Sequence, residues 1–186
     1  MGTPKQLLPL GDKLVIRHCV DHIAAAGIAE TVVVIGEEDS ESAAALFGLP
    51  VGIVVNDLPE SQMADSARLG LCELGGFSSG VFVCLVDHPL ATAETMAAMI
   101  CSHRQHPGKI IIPRYRGKRG HPTLFPALVL KELFGGRTTL RDIVNRDPAR
   151  ILFLDVPDEG VALDMDTPED YRKALDRMPT PAASLI

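Results

Sequence analysis

Apolar and polar positions along the chain follow two alternating rhythms. Residues 14–26 place apolar side chains at helical spacing, whereas TVVVIG at 31–36 is an unbroken β-branched run, too continuous for a strand with one face in water. The pair then recurs: helix over 40–47, strand over 51–56 (VGIVVN), helix over 64–74, strand over 81–86 (VFVCLV), helix over 93–103, strand over 109–113. Strands apolar on both faces and separated by helices predict a doubly wound α/β sheet.

After Pro113 the rhythm changes. RYRGKRGHPTLF reads as two strands around a glycine-bearing turn, so the expected sheet is mixed but mostly parallel. Helices are expected over 127–134 and 139–145, short strands over 151–156 and 161–165, and a closing helix over 168–177. There is no internal repeat and no low-complexity linker. With 186 residues, 46% of them hydrophobic, the chain has the size of one domain over 1–178, followed by a loose tail over 179–186.

Composition narrows the function. A formal net charge of -6 and an aromatic content of 4% supply neither the basic surface nor the stacking platform of a nucleic-acid binder. No apolar run of about 18 residues and no leader-like N-terminus occur, so the expected location is cytoplasmic, without a membrane partner. Cys19, Cys72, Cys84 and Cys101 are scattered, with no CxxC pair, and read as reduced thiols rather than zinc ligands.

Chemistry in an open α/β sheet gathers beyond the carboxyl ends of its strands. VFVCLVDHPL ends an apolar strand at Asp87, which either braces the turn or serves a site. A second acidic pair, Asp164 and Asp166 in LDMDTPEDY, falls on one face of an extended stretch, with Met165 packing behind. Thr167, Pro168, Glu169 and Asp170 are accounted for as a helix start. Neighbouring carboxylates suit a hard cation such as Mg²⁺, which takes one or two of them and completes its shell with water and phosphate. The order DMDTP departs from the DxDx(T/V) phosphatase motif, because Thr follows the second Asp directly and the segment is C-terminal.

Three further features bear on an anionic ligand. Pro4 stiffens TPKQLLPL before Lys5, a solvated charge or a phosphate clamp. Arg114, Arg116, Lys118 and Arg119 lead into Gly120 and His121, as an acceptor-phosphate patch or a charged edge hairpin. Met63, Asp65 and Ser66 either line a nucleoside or open the following helix.

In this order, MGTPKQLLPLG, the Asn56 strand end, QMADSARLGL, LVDHPL, RGKRGHPTLF, GGRTTLRDIV and LDMDTPEDY resemble the MobA-like nucleotidyltransferases, nearest the molybdenum cofactor cytidylyltransferase type. The family's first strand and its LAAGxSxRMG loop would stand before TPK, and the match begins after them. The resemblance implies a Rossmann-like three-layer fold. It also implies Mg²⁺-dependent transfer of a nucleotide, CMP rather than GMP, from CTP or GTP to the phosphate of a molybdopterin acceptor, with pyrophosphate released. A molybdoenzyme or its chaperone would be the partner.

By the same resemblance Lys5 clamps the triphosphate, and Asp87 and Asp164 hold the metal with Asp166 in support. Asn56 and Ser66 lie by the nucleoside, while Arg119, Gly120, His121 and Arg137 face the acceptor. His88 stands where the family often has Gln, and Gln62 where it has Gly. Two other readings follow from the same residues: a non-catalytic cofactor- or nucleotide-binding relative, and a transferase for a sugar or alditol phosphate.

Overall fold

Hydroxyl and carboxylate caps set where the helices begin. Asp39 accepts from the Ser42 N–H at the start of α2 (Ser40–Leu46), and Thr92 from Thr95 at the start of α4 (Ala93–Gln105). Thr139 opens α6 (Leu140–Arg146) and Thr167 opens α7 (Pro168–Leu175), each in a reciprocal capping box with an Asp three residues on. The structure is a computed structural model and describes residues 4–74 and 79–178, so the expected tail over 179–186 lies outside the described residues.

The chain opens with a 3₁₀ turn over Lys5–Leu7 and a small hairpin of β1 (Pro9–Leu10) and β2 (Lys13–Leu14), which the sequence patterns did not signal. Then follow α1 (Val15–Ala25), β3 (Val32–Gly36), α2, β4 (Gly52–Asn56), α3 (Met63–Glu73), β5 (Gly80–Val83), α4, and β6 (Ile110–Tyr115). β7 (Lys118–Arg119) and β8 (Thr123–Pro126) return around the expected turn, where Arg116 and Gly117 both take positive φ. The helix expected over 127–134 is split into α5 (Ala127–Leu130) and a 3₁₀ stretch over Lys131–Phe134. β9 (Ile151–Asp155) forms as expected, but residues 161–165 do not form a strand. Glu159–Ala162 is a 3₁₀ turn, because Asp158 accepts from the Gly160 N–H and curls the backbone at that point.

The sheet is mixed, as expected. β3–β4 and β6–β9 are parallel ladders of five registered pairs each, and β5–β8, β8–β6 and β6–β7 are antiparallel. Side-chain alternation along β6 makes three layers. Ile110 and Ile112 join a core with Leu71 of α3, Leu130 of α5 and Ile143 of α6, while Ile111 packs with Met99 of α4 on the other face.

One feature departs from a continuous doubly wound sheet. Among the described residues β3 pairs only with β4, and β5 only with β8. Between them runs a slot of about 440 Å³, walled by residues 31–36 on one side and 81–86 on the other. Ile16, Cys19, Val20 and Ile23 of α1 roof it, and Ala67, Gly70 and Leu71 of α3 form its floor.

Candidate active site

The two acidic segments meet. The Met165 N–H donates to the Asp87 carbonyl at 2.9 Å, and Met165 itself is buried at 1% exposure among Leu10, Val15 and Ala174. Alternation along this extended stretch leaves Asp164 and Asp166 exposed on either side of the buried Met165, as the sequence predicts. Lys5, on the turn after Pro4, reaches the same place and donates to Asp166 Oδ1 at 2.6 Å. An ammonium carries three donors, so this contact leaves two for another anion.

Next to Asp87 stand two imidazoles. His88 Nε2 is 4.0 Å from Asp87 Oδ1, and the His88 and His121 rings lie 4.9 Å apart at a 44° tilt. Asp87 Oδ1, His88 Nδ1 and His121 Nδ1 are buried without a hydrogen-bond partner in the chain. Three adjacent orphaned polar atoms are costly unless a ligand satisfies them. Burial holds both imidazoles below the ordinary histidine range, against the opposing pull of Asp87 and, at His88, of Asp164.

The turn that carries His121 is fixed from below. The His121 N–H donates to the Val161 carbonyl at 2.9 Å, and Lys118 Nζ to the Ala162 carbonyl at 2.8 Å. Gly120 is required there, since a Cβ at that position would lie 2.1 Å from the Val161 carbonyl oxygen.

The nucleoside-side pair also assembles. Asn56, at the carboxyl end of β4 and 7% exposed, donates through Nδ2 to Ser66 Oγ at 2.9 Å. Asp65 serves the helix start expected of it, accepting from the Gln62 N–H at 2.9 Å. Arg68 fastens α3 to the loop before α6 through the carbonyls of Leu133, Gly136 and Thr138.

Two expected acceptor residues stand apart from this group. Arg119 stacks over the Phe153 ring at 4.6 Å, and Phe153 packs into the core under α3, α5 and α6. Its neighbour Lys118 points the other way, as adjacent strand residues must. Arg137 is exposed on the loop held by Arg68, without an ion pair among the described residues.

Sequence reasoning named His88 only as a departure from a motif. Its signal is the place directly after Asp87, which the apolar run 81–86 marks as a strand end, although β5 closes at Val83 and residues 84–87 carry the chain on without strand pairing. Gln6 and Asp39 were missed as well; Gln6 Nε2 donates to Asp39 Oδ2 at 2.8 Å at the mouth of the slot. Only the helix-cap role of Asp39 was open to local reasoning.

Among the described residues no group of three or more His, Cys, Asp or Glu side chains forms a metal cage. The buried, unpartnered Asp87 oxygen beside the Asp164 segment fits a cation that takes few protein ligands and keeps water and phosphate oxygens.

The model of the MobA-like NTP transferase domain matches residues 1–151. The chain belongs to that family. It is similar to Rv0371c of Mycobacterium tuberculosis H37Rv, at 30% identity over 95% of this chain and 90% of that one, with a TM-score of 0.78. A manganese complex of Rv0371c aligns at 28% identity, with a TM-score of 0.76 over 94% and 93% of the two chains. The nicotine blue oxidoreductase of Paenarthrobacter nicotinovorans is 27% identical over 182 residues, covering 92% of this chain and 88% of that protein. Molybdopterin-guanine dinucleotide biosynthesis protein A of Archaeoglobus fulgidus shares the fold at 14% identity, with a TM-score of 0.67 over 94% of this chain and 90% of that one. No helix among the described residues is long and apolar enough to cross a membrane.

Proposed function

We propose that this MobA-like chain transfers a nucleotide, CMP in preference to GMP, from a nucleoside triphosphate to a phosphorylated acceptor of the molybdopterin type. The observation that carries the reading is the convergence of Lys5, Asp87, Asp164 and Asp166 at the carboxyl end of the sheet, with a buried Asp87 oxygen left unpaired. Attack of one phosphate on another brings two anions together, so positioning and charge neutralisation are the main requirements.

Each residue has a part in that reading. Lys5 holds the triphosphate, with Asp166 fixing the direction of its ammonium. Asn56 and Ser66 orient the nucleoside. His121, with His88 beside it, faces the acceptor, and Arg119 and Arg137 contribute only through movement toward it. Asp87 and Asp164 are the carboxylates for a Mg²⁺ ion, which when bound offsets charge on the phosphates and the departing pyrophosphate.

The Paenarthrobacter relative is the observation that favours a second reading, in which the same cleft serves an oxidoreductase. Calorimetric titration with Mg·CTP, Mg·GTP and each nucleotide in chelator separates them. The transfer reading expects metal-dependent binding, tighter for CTP and weakened in Asp87→Asn. Absence of nucleotide binding to the folded protein contradicts it.

A further inference from the structure

Asp158 caps more than its own turn. One carboxylate oxygen, Oδ1, accepts from the Gly160 N–H at 2.8 Å. The other, Oδ2, accepts from the Thr92 N–H at 2.9 Å, the Thr92 hydroxyl at 3.0 Å and the Thr95 hydroxyl at 2.7 Å. Thr92 and Thr95 open α4, far from Asp158 in the chain. Three donors converging on one oxygen favour an anion, and the N-terminus of a helix does so as well.

The stretch from Asp158 to Met165 meets the candidate site at three places. Gly160 backs onto Leu90, where a Cβ would lie 2.1 Å from the Leu90 carbonyl oxygen, and the Met165 N–H donates to the Asp87 carbonyl. The loop that carries Asp87 and His88 is therefore held at both ends by one stretch of backbone. Between those ends the Val161 carbonyl accepts from the His121 N–H, and the Ala162 carbonyl from Lys118 Nζ. The β5–β8 ladder, which could register the two histidine loops, ends at Val83 and Thr123. Beyond it their shared support is the 158–165 stretch, packed on a small core of Ala91, Val156, Val161 and Ala162.

We infer that Asp158 is a positioning residue for the acceptor side: by fastening the 158–165 stretch to the first turn of α4, it holds the His88 and His121 rings at their 4.9 Å spacing. Its hydrogen bonds go to Thr92, Thr95 and Gly160, and none goes to either imidazole. The nucleotide side is supported elsewhere. Lys5 is fixed by Asp166, Asn56 by Ser66, and Met165 keeps its own seat among Leu10, Val15 and Ala174. Loosening Asp158 therefore weakens acceptor placement and spares nucleotide binding. That consequence rests on the transfer reading, whereas the spacing of the two rings does not.

Two positions test it. Asp158→Asn keeps the size of the side chain and one acceptor oxygen, but it turns an NH₂ group against either the Gly160 N–H or the Thr92 and Thr95 donors. Thr95→Val removes one donor and keeps the shape, and Thr95→Ser restores the hydroxyl. In NMR spectra of the free protein, a nuclear Overhauser contact between the His88 and His121 ring protons should be present in the parent and in Thr95→Ser. It should weaken in Thr95→Val and disappear in Asp158→Asn, while contacts of Met165 with Ala174 persist. In turnover assays KM for a phosphorylated pterin acceptor should rise about tenfold or more in Asp158→Asn, with Mg·CTP affinity by calorimetry within about twofold of the parent. Because both substitutions act on one hydrogen bond, the double variant should match Asp158→Asn alone.

A ring contact that survives in folded Asp158→Asn, equal weakening of acceptor and nucleotide, or additive losses in the double variant overturns the inference. Should Asp158→Asn not fold, Thr95→Val against Thr95→Ser decides it by the same ring contact. A parent that turns over no nucleotide refutes the transfer reading, and the ring contact alone then judges Asp158: lost in the variant, the positioning role stands; retained, it falls.

Discussion

The Met165 N–H bonds to the Asp87 carbonyl at 2.9 Å, so the backbone of one acidic segment is registered on the end of the other. That bond rests on packing, because Met165 is 1% exposed and seated among Leu10, Val15 and Ala174. Met165→Ala should cost about 2–5 kcal/mol of stability through the cavity left behind. Urea denaturation at neutral pH measures it. A loss below about 0.5 kcal/mol would show that the segment is not anchored there.

Gly120 tests the turn that carries His121. A methyl group at this position meets the Val161 carbonyl carbon and oxygen, which are backbone and cannot rotate away. Gly120→Ala should lower the melting temperature and raise KM for the acceptor more than KM for the nucleotide. An unchanged melting temperature with unchanged kinetics contradicts the geometry.

Acid sensitivity should have a component at Glu132, which sits between Arg150 and Arg146 at 2.5 Å from each. Its hydrogen bond and charge interaction with Arg150, and the charge of Arg146, hold its carboxyl below the usual glutamate range. A depressed folded-state value stabilises at pH above the unfolded value, and that stability is lost as pH falls through the folded value. Glu132→Gln should therefore lose up to about 1 kcal/mol at pH 7. The difference from the parent should shrink as pH drops below about 4.5, the ordinary value for the group. A gap that widens on acidification contradicts the assignment.

Thiol reactivity reports on the slot. Burial pushes the Cys19 and Cys84 thiols up to about 12, and Cys19 also feels Cys84 and Asp87. Cys72 and Cys101 are exposed. Alkylation at pH 8 followed by peptide mapping should label Cys72 and Cys101 first and leave Cys19 and Cys84 slow, because the thiolate is the reacting form. Uniform labelling of all four would contradict the burial.

How legible was this in the sequence? Periodicity located β3, β4, β6 and β9 well, since each carries a continuous apolar run, although only β6 is buried along most of its length, and the Thr167 cap marked its helix. Residues 161–165 were misread because Asp158 caps a turn that their apolar composition does not reveal. For the site, strand-end position and motif order pointed to Asp87, Asp164, Lys5, Asn56 and Ser66, and these form two local groups. Arg119 was assigned with Gly120 and His121 from sequence proximity. Strand alternation sends its side chain to Phe153 instead. His88 and His121 meet through a long-range packing of two loops, which no local pattern encodes.

The central claim is that Asp87, joined to the Asp164 segment, makes nucleotide transfer possible. Its most direct test is pyrophosphate release from CTP with a phosphorylated pterin acceptor, in Mg²⁺ and in chelator, for the parent chain and Asp87→Asn. The account predicts release that requires the metal and falls about a hundredfold or more in the variant, some 2.7 kcal/mol of transition-state stabilisation. Equal rates in a folded Asp87→Asn protein would contradict it.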